Sequence, residues 1–156
     1  MPTRIDLERP DTPDALQLIG ELEAYLSPQY PPESRHGFSP EKLIRQNVAF
    51  FVIRQDGVPA GCGGIKIYAE ARPSYGEVKR MYVRPQFRGL GLAKTMLNHL
   101  ADYTQSQGVS LLRLETGIHQ IEACSLYERF GFQRIAPFGE YKEDPLSIFY
   151  EKAIGE

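Results

Sequence analysis

The sequence predicts a single α/β domain, a mixed sheet flanked by helices, and three observations predict it. Apolar runs of strand length alternate with segments of helical periodicity. Asp56-Gly57, between two of those runs, is a hairpin signal. The strand-like run Glu77 to Arg84 passes through a basic turn with two glycines into a long amphipathic helix. The implied order is β-α-α-β-β-β-α-β-α-β-β, which calls for a mixed sheet covered by helices.

Each element has a local cause. Thr3 to Glu8 alternates and reads as the first strand. Asp11-Thr12-Pro13-Asp14 starts a helix, with Asp or Thr as cap and proline in the first turn. Leu16, Leu18, Ile19, Leu22 and Leu26 then recur at helical spacing. Residues 27–38 hold Pro28, Pro31, Pro32 and Gly37 and read as an irregular loop, after which Ser39 caps a short second helix. Val48 to Arg54 and Pro59 to Ala69 form the two arms of the hairpin. Gly61, Gly63 and Gly64 in the second arm signal a bulge or a close backbone approach.

Ala71 to Gly76 reads as a turn and Glu77 to Arg84 as a central strand. Gly89 to Gln107 reads as a long helix closed by Gly108. Val109 to Thr116 is a buried strand, and Glu122 to Phe130 a helix closed by Gly131 in the left-handed region. A strand beginning over 132–135, a loop over 137–145 and a last strand over 146–152 complete the chain. No repeat or linker interrupts it, so residues 1–156 read as one domain.

Composition excludes several classes of function. Lys and Arg number 18 against 20 Asp and Glu, a net charge of −2, so a polybasic nucleic-acid binder is not expected. Positive charge that matters is local, as at Arg84, Arg88 and Lys94. The first thirteen residues have no apolar signal core, and no run reaches the ~18 apolar residues of a membrane span. Cys62 and Cys124 form no metal or redox spacing. The expectation is a soluble cytoplasmic protein with reduced thiols, no membrane partner and no metal.

The most telling stretch is Gln86-Phe87-Arg88-Gly89-Leu90-Gly91-Leu92-Ala93-Lys94, between the central strand and the long helix. A helix start offers unpaired backbone N–H groups and the positive end of the helix dipole to an anion. Glycines let the ligand approach the backbone. The turn therefore reads as a phosphate or pyrophosphate cradle.

Two motifs now resemble a family. Gln86-x-x-Gly89-x-Gly91 after Glu77-Val78-Lys79-Arg80-Met81-Tyr82-Val83 is similar to the cofactor motif of the acetyl-CoA-dependent GNAT superfamily of N-acetyltransferases. Ala123-x-x-Leu126-Tyr127-x-x-x-Gly131-Phe132 resembles that family's second motif, in the expected order and at the expected separation. The resemblance implies a mostly antiparallel twisted sheet, splayed between its fourth and fifth strands, with helices on both faces. It implies acetyl-CoA as co-substrate, with its pyrophosphate on the backbone of Arg88, Gly89, Leu90, Gly91, Leu92, Ala93 and Lys94. Met81, Tyr82 and Val83 would pair with pantetheine as an added strand would. Val83 and Thr116 would form the two rims of a V-shaped slot. Gln120 stands where the family usually has Asn, and Gln86 opens the cofactor motif.

The resemblance also implies the chemistry, direct attack of a primary amine of a small molecule or peptide on the acetyl thioester. A protonated alkylamine, with a pKa of ~10.4, must first lose a proton, so a base or water relay is needed. A backbone N–H of the fourth strand would stabilise the oxyanion. Tyr127 is the candidate acid for the leaving thiolate, against the plain alternative of a tyrosine packed on the sheet. Glu77 is the first candidate base and Glu115 the second, with water as a third possibility. Cys124 reads as a structural thiol, and His119 as a solvated or capping loop residue. The loops over 25–38 and 137–145 are candidate acceptor walls, with Glu33 and Glu140 suited to a cationic amine. The alternatives are a non-catalytic CoA-binding sensor or scaffold and a generic nucleotide binder. A homodimer is compatible with the family.

Overall fold

The computed structural model describes residues 2–155, so the ends of the 1–156 domain, Met1 and Glu156, lie outside the described residues. Strands β1 (Thr3–Leu7), β2 (Ala49–Gln55), β3 (Val58–Tyr68), β4 (Tyr75–Val83), β5 (Leu111–Gly117), β6 (Gln133–Ile135) and β7 (Ser147–Ala153) build one sheet in the order β1-β2-β3-β4-β5-β7-β6. Neighbours are antiparallel except β4 and β5, which are parallel.

Helices cover both faces, and β2 shows why. Its successive side chains point to opposite sides of the sheet. Phe50 and Val52 pack with Ala15, Leu18 and Ile19 of α1 (Pro13–Leu26) and Leu43 of α2 (Pro40–Arg45). Phe51 and Ile53 pack on the other face with Leu92, Met96, Leu97 and Leu100 of α3 (Leu92–Ser106) and Tyr127 of α4 (Ile121–Phe130). Thr12 caps α1 by accepting from Ala15 N at 3.2 Å, and Ser39 caps α2 by accepting from Lys42 N at 3.2 Å. Gly131 closes α4 with φ 109°.

Two features of the sheet create the site. First, β4 and β5 pair only at Gly76–Leu112 and Glu77–Arg113 and then diverge. Second, β4 carries a bulge. The register moves from Gly64–Lys79 to Cys62–Tyr82, two steps on β3 against three on β4. Arg80 takes up the extra residue with φ 56°, a conformation that costs a non-glycine residue about 1–3 kcal/mol. Its guanidinium is clamped in compensation. Nε donates to the Phe38 carbonyl at 2.9 Å, and Nη1 pairs with Glu23 at 2.7 Å. A Cβ at Gly37 would meet Arg80 Nη1 at 2.3 Å, so only glycine fits beside the clamp.

The expected elements differ from these in three places. The glycine-rich third strand does face a bulge, yet the extra residue there belongs to β4; Gly63 itself marks a close approach, where a Cβ would meet Met96 Cγ at 2.9 Å. The stretch over 71–76 is a turn only in its first part. Tyr75 already pairs with Tyr68 and is buried edge-on against Phe138. The long helix begins at Leu92 rather than Gly89, because Gly89 and Gly91 are left-handed with φ 85° and 75°.

Candidate active site

The turn between β4 and α3 is built from a single 3-10 turn, Pro85–Phe87, followed by the two left-handed glycines. A Cβ at Gly89 or Gly91 would meet nothing within 4 Å, so their sites open outward. No side chain caps α3 at Gly91. The first amides of this 15-residue helix, which have no intrahelical partners, are therefore also without a side-chain cap and form the positive end of its dipole.

These elements border a groove of about 560 Å³. Met81, Tyr82, Val83, Arg88, Gly89, Gly91, Leu92, Ala93 and Lys94 line one side, and Gln120, Ala123 and Tyr127 line the other. The groove thus brings together most of the residues expected to hold a nucleotide-bearing thioester. Gln86 and Leu90 do not line it: Gln86 is exposed in the 3-10 turn, and Leu90 is 58% exposed. Phe87 lines it instead, a contact the motif does not single out. Of the three local cations, Arg84 is held by Glu21 at 2.8 Å on the α1 side. Arg88 and Lys94 line the groove.

A smaller cavity of about 140 Å³ fills the wedge where β4 and β5 part, between Glu77–Met81 and Leu114–Gly117. Three charged side chains of β4 are buried there. Glu77 is 2% exposed, and its Oε2 accepts from the Tyr141 hydroxyl at 2.5 Å and lies 3.1 Å from Lys79 Nζ. Lys79 Nζ sits 4.0 Å over the Phe38 ring. Burial lowers the Lys79 pKa, with the Glu77 charge opposing. Across the wedge, Glu115 accepts from Ser147 Oγ at 2.8 Å. Burial pushes its pKa up to about 7, against the pull of Ser147 and Lys79.

Tyr127 lines both the groove and the cavity and is 6% exposed. It packs edge-on to Phe132, with ring centres 5.7 Å apart. Burial raises its pKa, so the hydroxyl keeps its proton at neutral pH and has that proton to donate.

The two candidate acceptor loops meet over the cavity. Ser34 Oγ donates to Asp144 Oδ2 at 2.7 Å, and His36 stands edge-on to Tyr141 at 5.2 Å. Tyr30 donates to Gln120 Oε1 and accepts from His119 N at 3.0 Å, and Gln120 Nε2 donates to Gln29 at 3.2 Å. The Gln120 amide therefore ties the start of α4 to the loop after α1. Glu33 is exposed and lines neither cavity, while Glu140 borders a second acceptor-side cavity. The Cys124 thiol is half-buried, and burial raises its pKa, which disfavours the thiolate.

Residues 16–132 match the family model described as the Acetyltransferase (GNAT) family. An IAA acetyltransferase of Azospirillum brasilense is 42% identical over 94% of this chain and 95% of its own length. The chain belongs to the GNAT acetyltransferase family. A solved structure of a proposed acyl-CoA N-acyltransferase from Klebsiella pneumoniae has 34% identity, a TM-score of 0.79 and 98% coverage of both chains. A GNAT acetyltransferase from Elizabethkingia anophelis, solved with acetyl-CoA bound, shares the fold. Its TM-score is 0.70 at 14% identity, with coverage of 97% of this chain and 98% of that one. The expected GNAT fold, with its sheet splayed between β4 and β5, is the one observed.

In this GNAT N-acetyltransferase, sequence reading passed over Lys79, Arg80, Ser147 and the Tyr141 hydroxyl as site residues. A signal for two of them was present: consecutive charges inside a strand otherwise suited to the core mark a buried polar cluster. Ser147, at the start of β7, carries no such mark, and Tyr141 was marked only as part of the 137–145 loop. Among the described residues no three His, Cys, Asp or Glu side chains group as a metal site, and no helix is long and apolar enough to cross a membrane.

Proposed function

We propose that this GNAT enzyme moves an acetyl group from acetyl-CoA directly to a primary amine of a small molecule or peptide. The observation that carries the reading is Tyr127, a buried proton donor on the wall shared by the groove and the carboxylate-lined cavity. Acetyl-CoA supplies the activated acetyl thioester. The open glycine turn and the uncapped amides of α3, with Arg88 and Lys94, suit its pyrophosphate. Met81–Val83 of β4, left without a strand partner on the β5 side by the splay, suits pantetheine. In this reading Gln120 lines the groove and steadies the α4 start, and Gln86 and Leu90 support the turn from outside the groove.

In this reading Tyr127 protonates the leaving thiolate. Glu115 takes the amine proton, directly or through water, because a base poised near neutrality combines the right charge state with driving force. Glu77 is the other carboxylate of the wedge. Its Oε2 already engages Tyr141 and Lys79, which suits fixing the local charge better than accepting a proton. The free Cys62 and Cys124 suit a cytoplasmic setting.

Thermal shift with acetyl-CoA, ATP and NAD, followed by a CoA-release screen over primary amines, tests the proposal. Acetyl-CoA should stabilise the fold and ATP and NAD should not, with amine-dependent CoA release. Stabilisation without release from any amine would favour a CoA-binding sensor.

A further inference from the structure

Of the three arginines and lysines that line the wedge cavity, Lys79 and Arg80 are matched to anions and Arg35 is not. Lys79 is paired with Glu77 and Arg80 with Glu23. Arg35, in the loop after α1, lines both the wedge cavity and the second cavity, of about 650 Å³. Among the described residues it has no carboxylate partner, and its one side-chain hydrogen bond runs from Nη1 to Ser27 Oγ at 3.1 Å. Its Nε is buried with no hydrogen-bond partner, the sole side-chain nitrogen or oxygen in that state among the described residues. A buried guanidinium N–H left unpaired is costly, and a bidentate oxyanion is the group its fork fits best. Lys42 and Lys66, on the second cavity, have no carboxylate partner among the described residues either; Lys42 lies 4.3 Å over the Phe38 ring and Lys66 donates to Gln46 Oε1. Four carboxylates face these cavities. Glu23 and Glu77 are ion-paired, Glu115 is bonded by Ser147, and Glu140 borders only the second cavity.

We propose that the acetyl acceptor carries a carboxylate as well as its amine, and that Arg35 binds that carboxylate. The inference rests on the acetyl-transfer reading above and adds the acceptor's class. Glu115 then lies toward the amine and Arg35 toward the acid, so the site is charge-complementary to a zwitterion. The second cavity leaves room beyond the carboxylate for the rest of the acceptor.

The test is steady-state CoA release with standard L-amino acids and short ω-amino acids, each against its carboxamide. It uses the wild-type protein, Arg35→Gln and Arg35→Lys. The wild type should show a KM lower by about ten- to hundredfold for the acid than for its amide, the range expected for a charge-assisted bond. Arg35→Gln should erase that difference with kcat nearly kept, and Arg35→Lys should restore part of it. Unchanged acetyl-CoA affinity in both variants establishes that they fold. Equal use of acid and amide by the wild type, or an Arg35→Gln variant that keeps the preference, would overturn the inference and leave acetyl transfer standing. No CoA release from any amine, despite acetyl-CoA binding, would overturn both.

Discussion

Ser34 and Asp144 lie 110 residues apart in the chain and meet through a 2.7 Å hydrogen bond. The bond joins the loop after α1 to the loop before β7, and so closes the acceptor side of the wedge. Asp144 also accepts from Leu146 N at 2.8 Å, and these two donors hold its pKa below the ordinary carboxylate value. Ser34→Ala should loosen the closure without touching the cofactor groove. The expected outcome is an acceptor KM raised about threefold or more, with acetyl-CoA affinity unchanged. Steady-state kinetics with acetyl-CoA saturating checks it.

Tyr127→Phe removes the proposed acid while keeping the ring against Phe132. The kcat should fall roughly a hundredfold, within the range of general acid catalysis. Because the hydroxyl stays protonated, the wild-type rate should show no loss from Tyr127 ionisation up to about pH 9. Single-turnover kinetics separates this loss from slower product release.

Glu115 sets a pH dependence of two opposite kinds. As a base it must be ionised, so kcat/KM should climb through about pH 7, and Glu115→Gln should lose both that limb and about a hundredfold in rate. For stability the sign reverses. A carboxyl whose folded pKa is raised stabilises the fold below its unfolded value of about 4.3, and that contribution is lost as pH rises toward about 7. Between about pH 5 and pH 8 the Tm of the wild type should fall relative to that of Glu115→Gln. A pH series of melting curves on both proteins checks the sign.

Glu77 and Lys79 form a pair whose side chains are 3% and 6% exposed. Glu77→Gln would leave Lys79 buried without its counter-charge and should cost roughly 3–5 kcal/mol. Replacing both, as in E77Q/K79M, should recover most of that loss. Urea unfolding of the single and double variants measures it. Glu77 as the essential base would instead show the double variant stable but inactive.

The elements of this fold were legible wherever the determinant was local. Thr12, Ser39, Asp56-Gly57 and Gly131 each fix a cap or turn through their own backbone and side-chain chemistry. The glycine turn that borders the groove was legible for the same reason, since Arg88 to Lys94 is one continuous turn and helix start. Its departures are also local: Gln86 and Leu90 fall on the outer side of that turn, which the spacing of the motif does not reveal. The acceptor side is assembled from distant chain segments. Lys79 with Tyr141, Glu115 with Ser147 and Arg80 with Glu23 meet only after the sheet closes. The β4 bulge is accompanied by the clamp of Arg80 on Phe38 and Glu23, and no single stretch of sequence contains that arrangement.

Direct transfer between groove and wedge is tested most directly by following radiolabelled acetyl-CoA through one turnover with an accepted amine. The label should appear in the N-acetylated amine at the rate of CoA release, with none retained on the protein. Label held on the protein, at Cys124 or elsewhere, before it reaches the amine would contradict direct attack across Tyr127.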